Sequence, residues 1–309
     1  MLSWLTVPVF DAILINMMLA LSIYLTLFTG LLSLANAGFM AIGAYVTVLL
    51  LTGTTLPLGA AFGLSISIAV LVALLLGLPV LRLQGVYLAI ATLGFGEIVR
   101  LLLLNGDKLI NLVKPSQPGS EPVVLFNGAE GITLPFQLDP VWLGLPKTTW
   151  ELLAYLCVLL YFFMRLQRSQ LGRILASIRQ DEAAAAALGI AVVRYKLLAF
   201  VLGAAIAAGA GALSVPVVRV IEPANYSFSQ AVNILAWAVL GGTTHWAGPL
   251  VGAGLLTSLP ELLRFLKEQR DVVNGLILML AIIYLPRGLA DPRFWQQLWR
   301  LPKKREQHP

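Results

Sequence analysis

The sequence holds little of the chemistry that enzymes and metalloproteins depend on. Cys157 is the only cysteine and lies inside an apolar run, which excludes an internal disulfide bond and a cysteine metal cluster. The chain has no Gly-Lys dipeptide, hence no Walker A phosphate loop, and it has no His-Glu-x-x-His zinc pattern and no Gly-x-Ser-x-Gly nucleophile elbow. We therefore expect no catalytic residue, no bound metal and no cofactor, and no ATP hydrolysis through a phosphate loop of its own.

Charged residues are also scarce. They make up 12% of the chain against 59% hydrophobic residues, and the mean hydropathy is +0.86. Soluble domains average roughly 25% charged and 45–50% apolar residues. The composition therefore predicts a polytopic membrane protein, and it predicts helices because barrel strands would alternate in polarity over about ten residues. The net charge of +6 is explained by an excess of Lys and Arg on loops that face the cytoplasm. We therefore expect no nucleic acid as partner.

Several apolar runs reach the roughly 20 residues that a helix needs to cross about 30 Å of hydrocarbon. We predict an all-α fold in which residues 1–309 form one transmembrane domain of about nine spans, within a range of about eight to ten. The first run lacks the flanks of a signal peptide and is expected to remain as a span. The predicted spans are residues 8–30, 36–52, 58–79, 85–104, 149–164, 197–217, 228–244, 248–266 and 271–289.

The distribution of Lys and Arg predicts which connections face the cytoplasm. Basic residues are concentrated at Arg82, in the segment 165–196 and in the tail 290–309, which are therefore placed inside. Segment 105–148 balances its charges, is rich in Pro, Gly, Asn and Ser, and is predicted to be an extracytoplasmic loop. An odd number of spans then places the N-terminus outside. The tail combines aromatic with basic residues, which indicates an interfacial helix contacting membrane lipid.

Polar residues inside the predicted spans are few, and each costs free energy in hydrocarbon unless it has a partner or a function. Glu97 precedes Arg100 by three residues, which favours a helix-surface ion pair over a proton relay. His245 lies in a Gly-rich break and is interpreted as a local hydrogen-bonding residue. The candidates for a translocation path are Ser33, Asn36, Thr92 and Asn233.

The second half of the chain carries signals for helix packing and for a break. Small residues recur at four-residue spacing, as in Gly203, Ala207 and Gly211, which predicts close approach of helix backbones in lipid. The segment GGTTHWAGP, residues 241–249, interrupts an apolar region and leaves two options open: a loop between two spans or a re-entrant turn.

Four stretches of the sequence resemble the permease subunits of branched-chain and neutral amino acid ABC importers, specifically the LivM-type subunit. Together they cover most of the chain, in the order and spacing of that family. The stretches are GLLSLANAGFMAIGAYV (30–46), LRLQGVYLAIATLGFGEIVRLL (81–102), GRILASIRQDEAAAAALGI (172–190) and GGTTHWAGPLVGAGLL (241–256).

The resemblance implies a permease of an ATP-powered importer in the bacterial inner membrane. Its implied partners are a second permease subunit forming a heterodimer, two cytoplasmic ATPase subunits and an extracytoplasmic solute-binding protein. It also implies that segment 165–196 is a coupling loop containing the helix that docks on an ATPase, with a smooth Ala surface and charge contacts from Asp181 and Glu182. The residues implied in ATPase coupling are Arg179, Asp181, Glu182, Ala183, Ala184 and Gly189.

The implied substrate is a branched-chain or other neutral amino acid, and two alternatives stay open. Importers of urea and short amides share the same permease pattern. A stand-alone ion-coupled carrier or an intramembrane enzyme is the alternative from a different class. The charged, Ala-rich island 170–196 argues against the second alternative, because an autonomous carrier has no use for it.

Overall fold

The computed structural model describes residues 3–113, 125–134, 141–142, 145–218, 220–243 and 245–262. The described helices are α1 (Ser3–Phe28), α2 (Asn36–Gly53), α3 (Leu58–Val80), α4 (Val86–Val113), α5 (Lys147–Arg168), α6 (Gln170–Gln180), α7 (Glu182–Ala187), α8 (Val192–Val218), α9 (Phe228–Gly241) and α10 (Ala247–Leu262). The described strands are β1 (Ile132–Thr133), β2 (Val141–Trp142), β3 (Leu145–Pro146) and β4 (Val220–Ile221), and a 3₁₀ turn covers Pro223–Tyr226.

Six of these helices, α1 to α5 and α8, are long and apolar enough to cross a membrane, while α9 and α10 are shorter apolar helices. The first six predicted spans fall on the long helices, and the next two fall on α9 and α10. The predicted ninth span, 271–289, and the tail, 290–309, lie outside the described residues. The all-α class is confirmed, whereas a total of nine spans stays a prediction.

Helix α4 is longer than the sequence predicts. The span was expected to end at residue 104, but the helix continues to Val113, so the start of segment 105–148 is helical. The side chains of Asn105 and Asn111 donate to the carbonyls of Leu101 and Asp107, one turn earlier, at 3.1 and 2.8 Å. These polar residues therefore bond along the helix and do not interrupt it.

Helix α8 lies at the centre of the bundle, packed against α1, α2 and α3. Two of its glycines contact the backbone of neighbouring helices: Gly203 faces the carbonyl of Ser22 on α1, and Gly211 faces that of Met40 on α2. Apolar side chains gain nothing by leaving lipid tails, so close backbone approach has to supply the packing energy. The predicted packing role of these small residues is confirmed.

Helices α9 and α10 form a tight hairpin. A side chain at Gly241, Gly248 or Gly252 would overlap with backbone atoms of the opposite helix. The predicted break at 241–249 is therefore a turn between two packed helices. His245 accepts a hydrogen bond at Nδ1 from the backbone N–H two residues later, at 3.2 Å, which confirms its local role.

At one end of the bundle, two connections fold against each other. Strand β1 of the α4–α5 connection pairs antiparallel with β4 of the α8–α9 connection. The hydroxyl of Tyr45 on α2 donates to the carbonyl of Ile221 at 3.2 Å. The carboxylate of Asp107 accepts from the backbone N–H groups of Leu125 and Phe126 at 2.7 and 2.8 Å. This is the end that the charge distribution predicts to be extracytoplasmic.

We predict that Gly211→Ala destabilises the protein, although alanine is favoured over glycine in an exposed helix by about 1 kcal/mol. The added Cβ would overlap with the Met40 carbonyl, and overpacking a core costs about 1–3 kcal/mol. The matched control is Gly63→Ala on α3, where an added Cβ meets nothing within 4 Å. The measurement is the thermal midpoint in detergent. An unchanged midpoint for Gly211→Ala would contradict the close packing of α8 on α2.

Candidate functional site

The segment between α5 and α8 folds as two short helices joined at Asp181. Ser169 Oγ accepts from the N–H of Gly172 at 3.1 Å and caps α6. Asp181 Oδ1 accepts from the N–H of Ala184 at 3.0 Å and caps α7. Ser and Asp are preferred at these positions because their oxygens satisfy N–H groups that have no partner within the first turn. The predicted coupling helix is therefore a helix with a defined start.

The end of α7 is equally defined. Gly189 has a φ of +83°, in the left-handed region that favours glycine. The N–H groups of Gly189 and Ile190 donate to the carbonyls of Ala186 and Ala185 at 3.0 and 3.2 Å, which satisfies carbonyls at the helix end. Helix α8 begins at Val192, so the chain passes almost directly from α7 into the central span.

An ion pair attaches α7 to α8. Lys196 Nζ donates to Glu182 Oε2 at 2.5 Å. The Lys196 side chain is only 9% exposed, and that of Glu182 is 43% exposed. On the same side, Ala185 is buried in a small cluster with Ile178 of α6 and Val192 of α8. The ion pair and this cluster together hold α7 in one position on the central helix.

The outward side of α7 consists of small, largely apolar side chains. Leu188 is 81% exposed and Val193, at the start of α8, is 60% exposed. A groove of about 720 Å³ runs beside this surface and is bounded by Gln84 of the α3–α4 turn, α7 and the start of α8. The exposed alanines of this surface are Ala183, Ala184, Ala186 and Ala187. Small side chains let the backbone of a partner approach closely.

The charged residues predicted for coupling bond within the chain. Asp181 caps α7 and Glu182 pairs with α8, as described above. Arg179, in the last turn of α6, donates from Nη1 to the carbonyl of Thr243 at 3.1 Å and from Nη2 to its hydroxyl at 3.0 Å. Thr243 lies in the α9–α10 turn, so this contact joins distant parts of the chain. No motif or spacing in the sequence indicates it.

Three of the predicted path residues lie together at the break between α1 and α2. Asn36 Nδ2 donates to Ser22 Oγ at 2.7 Å, and the N–H of Leu34 donates to Thr92 Oγ1 on α4 at 2.9 Å. Ser33 Oγ accepts from the backbone N–H two residues later at 3.4 Å. All three predicted residues are buried. In this structure their side chains form hydrogen bonds around the extended segment that follows α1 inside the bundle. None of the three lies on the exposed surface of the bundle.

Asn233 is separate from this cluster. It is exposed on α9, together with Ser229 one turn earlier and with Val232 and Val239. An exposed amide on an apolar helix loses its hydrogen bonds if lipid surrounds it, at a cost of several kcal/mol. Water or a polar partner beside this side of α9 would remove that cost.

Other polar side chains have structural roles. Arg100 Nε donates to both carboxylate oxygens of Glu97, at 2.9 and 3.0 Å, which confirms the predicted ion pair. Asn16 Nδ2 donates to Thr257 Oγ1 at 3.0 Å and joins α1 to α10. Within the described part of the chain, no group of three or more His, Cys, Asp or Glu side chains is placed to hold a metal ion.

We predict that Glu182→Ala lowers stability more than the double variant Glu182→Ala/Lys196→Met. The single variant leaves a buried ammonium without a counter-charge, which costs about 1–3 kcal/mol, whereas Met fills similar space without a charge. Glu151→Ala is the control, because its partner Lys147 is 64% exposed and such pairs contribute about 0–1 kcal/mol. Thermal unfolding is measured for the wild type, Glu182→Ala, Lys196→Met, the double variant and the control. Additive effects of Glu182→Ala and Lys196→Met in the double variant would contradict the ion pair.

Comparisons with known proteins show which family the chain is similar to. The family model described as the permease component of the branched-chain amino acid transport system matches residues 8–285. The high-affinity branched-chain amino acid transport system permease protein LivM of Escherichia coli is 36% identical over 278 residues, which cover 84% of this chain and 64% of LivM. The chain therefore spans slightly less than two thirds of the length of that relative. No solved structure matches the chain.

More distant relatives are also transport permeases. The permease protein LivH of Salmonella typhimurium, named for the same kind of transport system, is 29% identical over 182 residues, covering 54% of this chain and 58% of LivH. The L-arabinose transport system permease protein AraH of Escherichia coli is 31% identical over 152 residues, covering 46% of this chain and 45% of AraH. The family and the six candidate spans confirm a multi-pass membrane protein. Because the family model matches most of the chain, the protein belongs to the branched-chain amino acid transport permease family.

Proposed function

We propose that the chain is a permease subunit of an ATP-binding cassette importer for branched-chain or other neutral amino acids in the bacterial inner membrane. The observation that carries the proposal is α7, a helix capped at both ends, exposed on one side and attached by an ion pair to the central span. Such a helix can pass the movement of a soluble partner directly to the bundle. The family membership supports the same role.

The exposed surface of α7 is proposed to dock on a cytoplasmic ATPase subunit. Its alanines present little side-chain volume, so a complementary groove can approach the helix backbone closely. Leu188 projects at the end of α7 with 81% of its surface exposed, which fits a side chain that inserts into a partner's pocket. The basic residues of the surrounding loop favour the cytoplasmic side, where ATP is available.

A complete importer requires further subunits. LivM and LivH relatives are both named permease proteins of the high-affinity branched-chain amino acid transport system, which favours a heterodimer of two such permeases. Two ATPase subunits, one for each permease, and an extracytoplasmic solute-binding protein complete the proposed assembly. The folded end formed by β1, β4 and Asp107 provides the ordered extracytoplasmic surface for that binding protein.

The exposed side of α9 is proposed to line the translocation path at the boundary with the second permease. Asn233 and Ser229 supply hydrogen-bonding groups, and Val232 and Val239 supply apolar surface next to them. This combination suits a zwitterion with an apolar side chain. Ser33, Asn36 and Thr92 then support the bundle from within, since all three are buried in this structure.

The proposed substrates are amino acids, not sugars. The LivM relative aligns with 84% of this chain and the L-arabinose relative with 46%, so amino acids are favoured over sugars. Uptake of labelled leucine, alanine and urea into proteoliposomes containing the purified complex tests this choice. Transport of urea alone would replace the amino acid assignment, and transport by the chain alone without ATP would overturn the importer.

We predict that Leu188→Asp abolishes both recovery of the ATPase with the tagged chain and ATP-driven uptake. The aspartate carboxylate at this position would have to be buried in the apolar groove expected on the ATPase, and burying an unpaired charge costs free energy. The control is Leu112→Asp in the last turn of α4, at the opposite end of the bundle, where the side chain is 77% exposed. Affinity purification from mild detergent gives the subunit ratio. Full ATPase recovery with Leu188→Asp would remove α7 from the docking surface.

We also predict that a cysteine at position 233 reacts with a membrane-impermeant, hydrophilic thiol reagent, and that transported substrate slows the reaction. The background is Cys157→Ala, because the native thiol is exposed on α5. Leu71→Cys on α3, 58% exposed on the most apolar span, is the control and should stay unlabelled in lipid. Equal labelling at the two positions would show that the α9 side is no more hydrated than the lipid-facing surface.

A further inference from the structure

We propose that Arg179 is the positioning residue that transmits movement of the coupling loop to the α9–α10 hairpin. The inference rests on the proposed function, and it assigns to this residue a role inside the chain in place of an ATPase contact. Its guanidinium spans the gap to the α9–α10 turn with two hydrogen bonds, one to the carbonyl and one to the hydroxyl of Thr243, at 3.1 and 3.0 Å.

The position of Arg179 makes it a junction of three elements. It lies in the last turn of α6, next but one to Asp181, which caps α7. Its backbone also lies against the end of α1: a Cβ added to Gly30 would be 3.4 Å from the Arg179 Cα. Movement of α7 by a docked ATPase therefore reaches Arg179 through a short, capped connection, while the end of α1 limits the direction in which Arg179 can move.

The hairpin that receives this movement is rigid. Gly241, Gly248 and Gly252 bring the backbones of α9 and α10 into direct contact, so the two helices move together when their turn is displaced. The same hairpin carries Asn233 on its exposed side. The Arg179–Thr243 contact is thus a direct mechanical route from the coupling loop to the surface proposed for substrate.

The chemistry of the contact suits positioning better than stability. A planar guanidinium offers two N–H donors in a fixed fork, which sets both distance and orientation, whereas an ammonium on a flexible stem sets neither. Arg179 is exposed, and hydrogen bonds of exposed side chains add little to the free energy of unfolding because water competes for them. Its loss should therefore change coupling more than folding.

The test uses the whole complex in proteoliposomes and measures substrate transported per ATP hydrolysed. Arg179→Lys keeps the charge and loses the fork, and Thr243→Val removes the hydroxyl acceptor. Each is expected to lower the transport ratio about fivefold or more, with ATPase recovery and thermal midpoint unchanged. The double variant is expected to be no worse than Arg179→Lys, because both changes break one contact. Arg173→Lys is the control, since among the described residues the side-chain hydrogen bond of Arg173 goes to the nearby Arg168 carbonyl, at 3.4 Å.

The possible results distinguish a positioning role of Arg179 from a role in ATPase docking and from failure of the proposed function. A wild-type transport ratio in Arg179→Lys would overturn the proposal. Loss of ATPase recovery in Arg179→Lys would overturn it as well, because Arg179 would then belong to the docking surface. A wild-type chain that recovers no ATPase would instead overturn the proposed function, and the positioning role with it. Additive losses in the double variant would show that Arg179 and Thr243 act separately.

Discussion

Close backbone contact around α8 is the constraint on which the rest of the bundle depends. Within a bilayer the tails solvate apolar side chains, so burying Leu or Val between helices supplies no net hydrophobic driving force. Glycine at positions 203 and 211 removes the side-chain layer and lets α8 meet the carbonyls of α1 and α2. This contact fixes the position of α8 in the bundle, and because Lys196 lies in the first turns of α8, the Glu182–Lys196 ion pair holds α7 against the same helix.

The proposed coupling segment, residues 165–196, uses charged side chains to stabilise its own fold. Asp181 and Glu182 look from the sequence like groups that face a partner, yet one caps the helix and the other pairs with α8. A short helix of six residues cannot persist in water without such support. Internal caps and pairs keep it folded in the chain alone, so docking of the proposed ATPase would not have to supply the free energy of ordering it.

The sequence predicts long elements better than individual contacts, for a physical reason. Each of the six long helices carries an apolar run that is long enough to cross a membrane. A polar residue in a span, however, has two solutions: it bonds inside the protein or it faces water. Asn36 and Thr92 form hydrogen bonds inside the protein, whereas Asn233 is exposed. The hydrophobic periodicity of the sequence cannot distinguish a polar residue that is bonded inside from one that is exposed. Arg179 and Thr243 are 64 residues apart, so only the folded chain reveals their contact.

The two links that leave the proposed coupling segment differ in burial and in the packing of the element they reach, and in the proposed importer this difference favours movement of one part of the bundle. Glu182–Lys196 is half-buried and ends on α8, which packs on three helices and is close-packed at its glycines. Such a core resists gradual deformation. Arg179–Thr243 is exposed and ends on the α9–α10 hairpin, which leaves the Asn233 side uncovered. Displacing the hairpin disrupts less packing than displacing α8. In the proposed importer, the same push from the ATPase would therefore move α9 and α10 relative to a stationary α8.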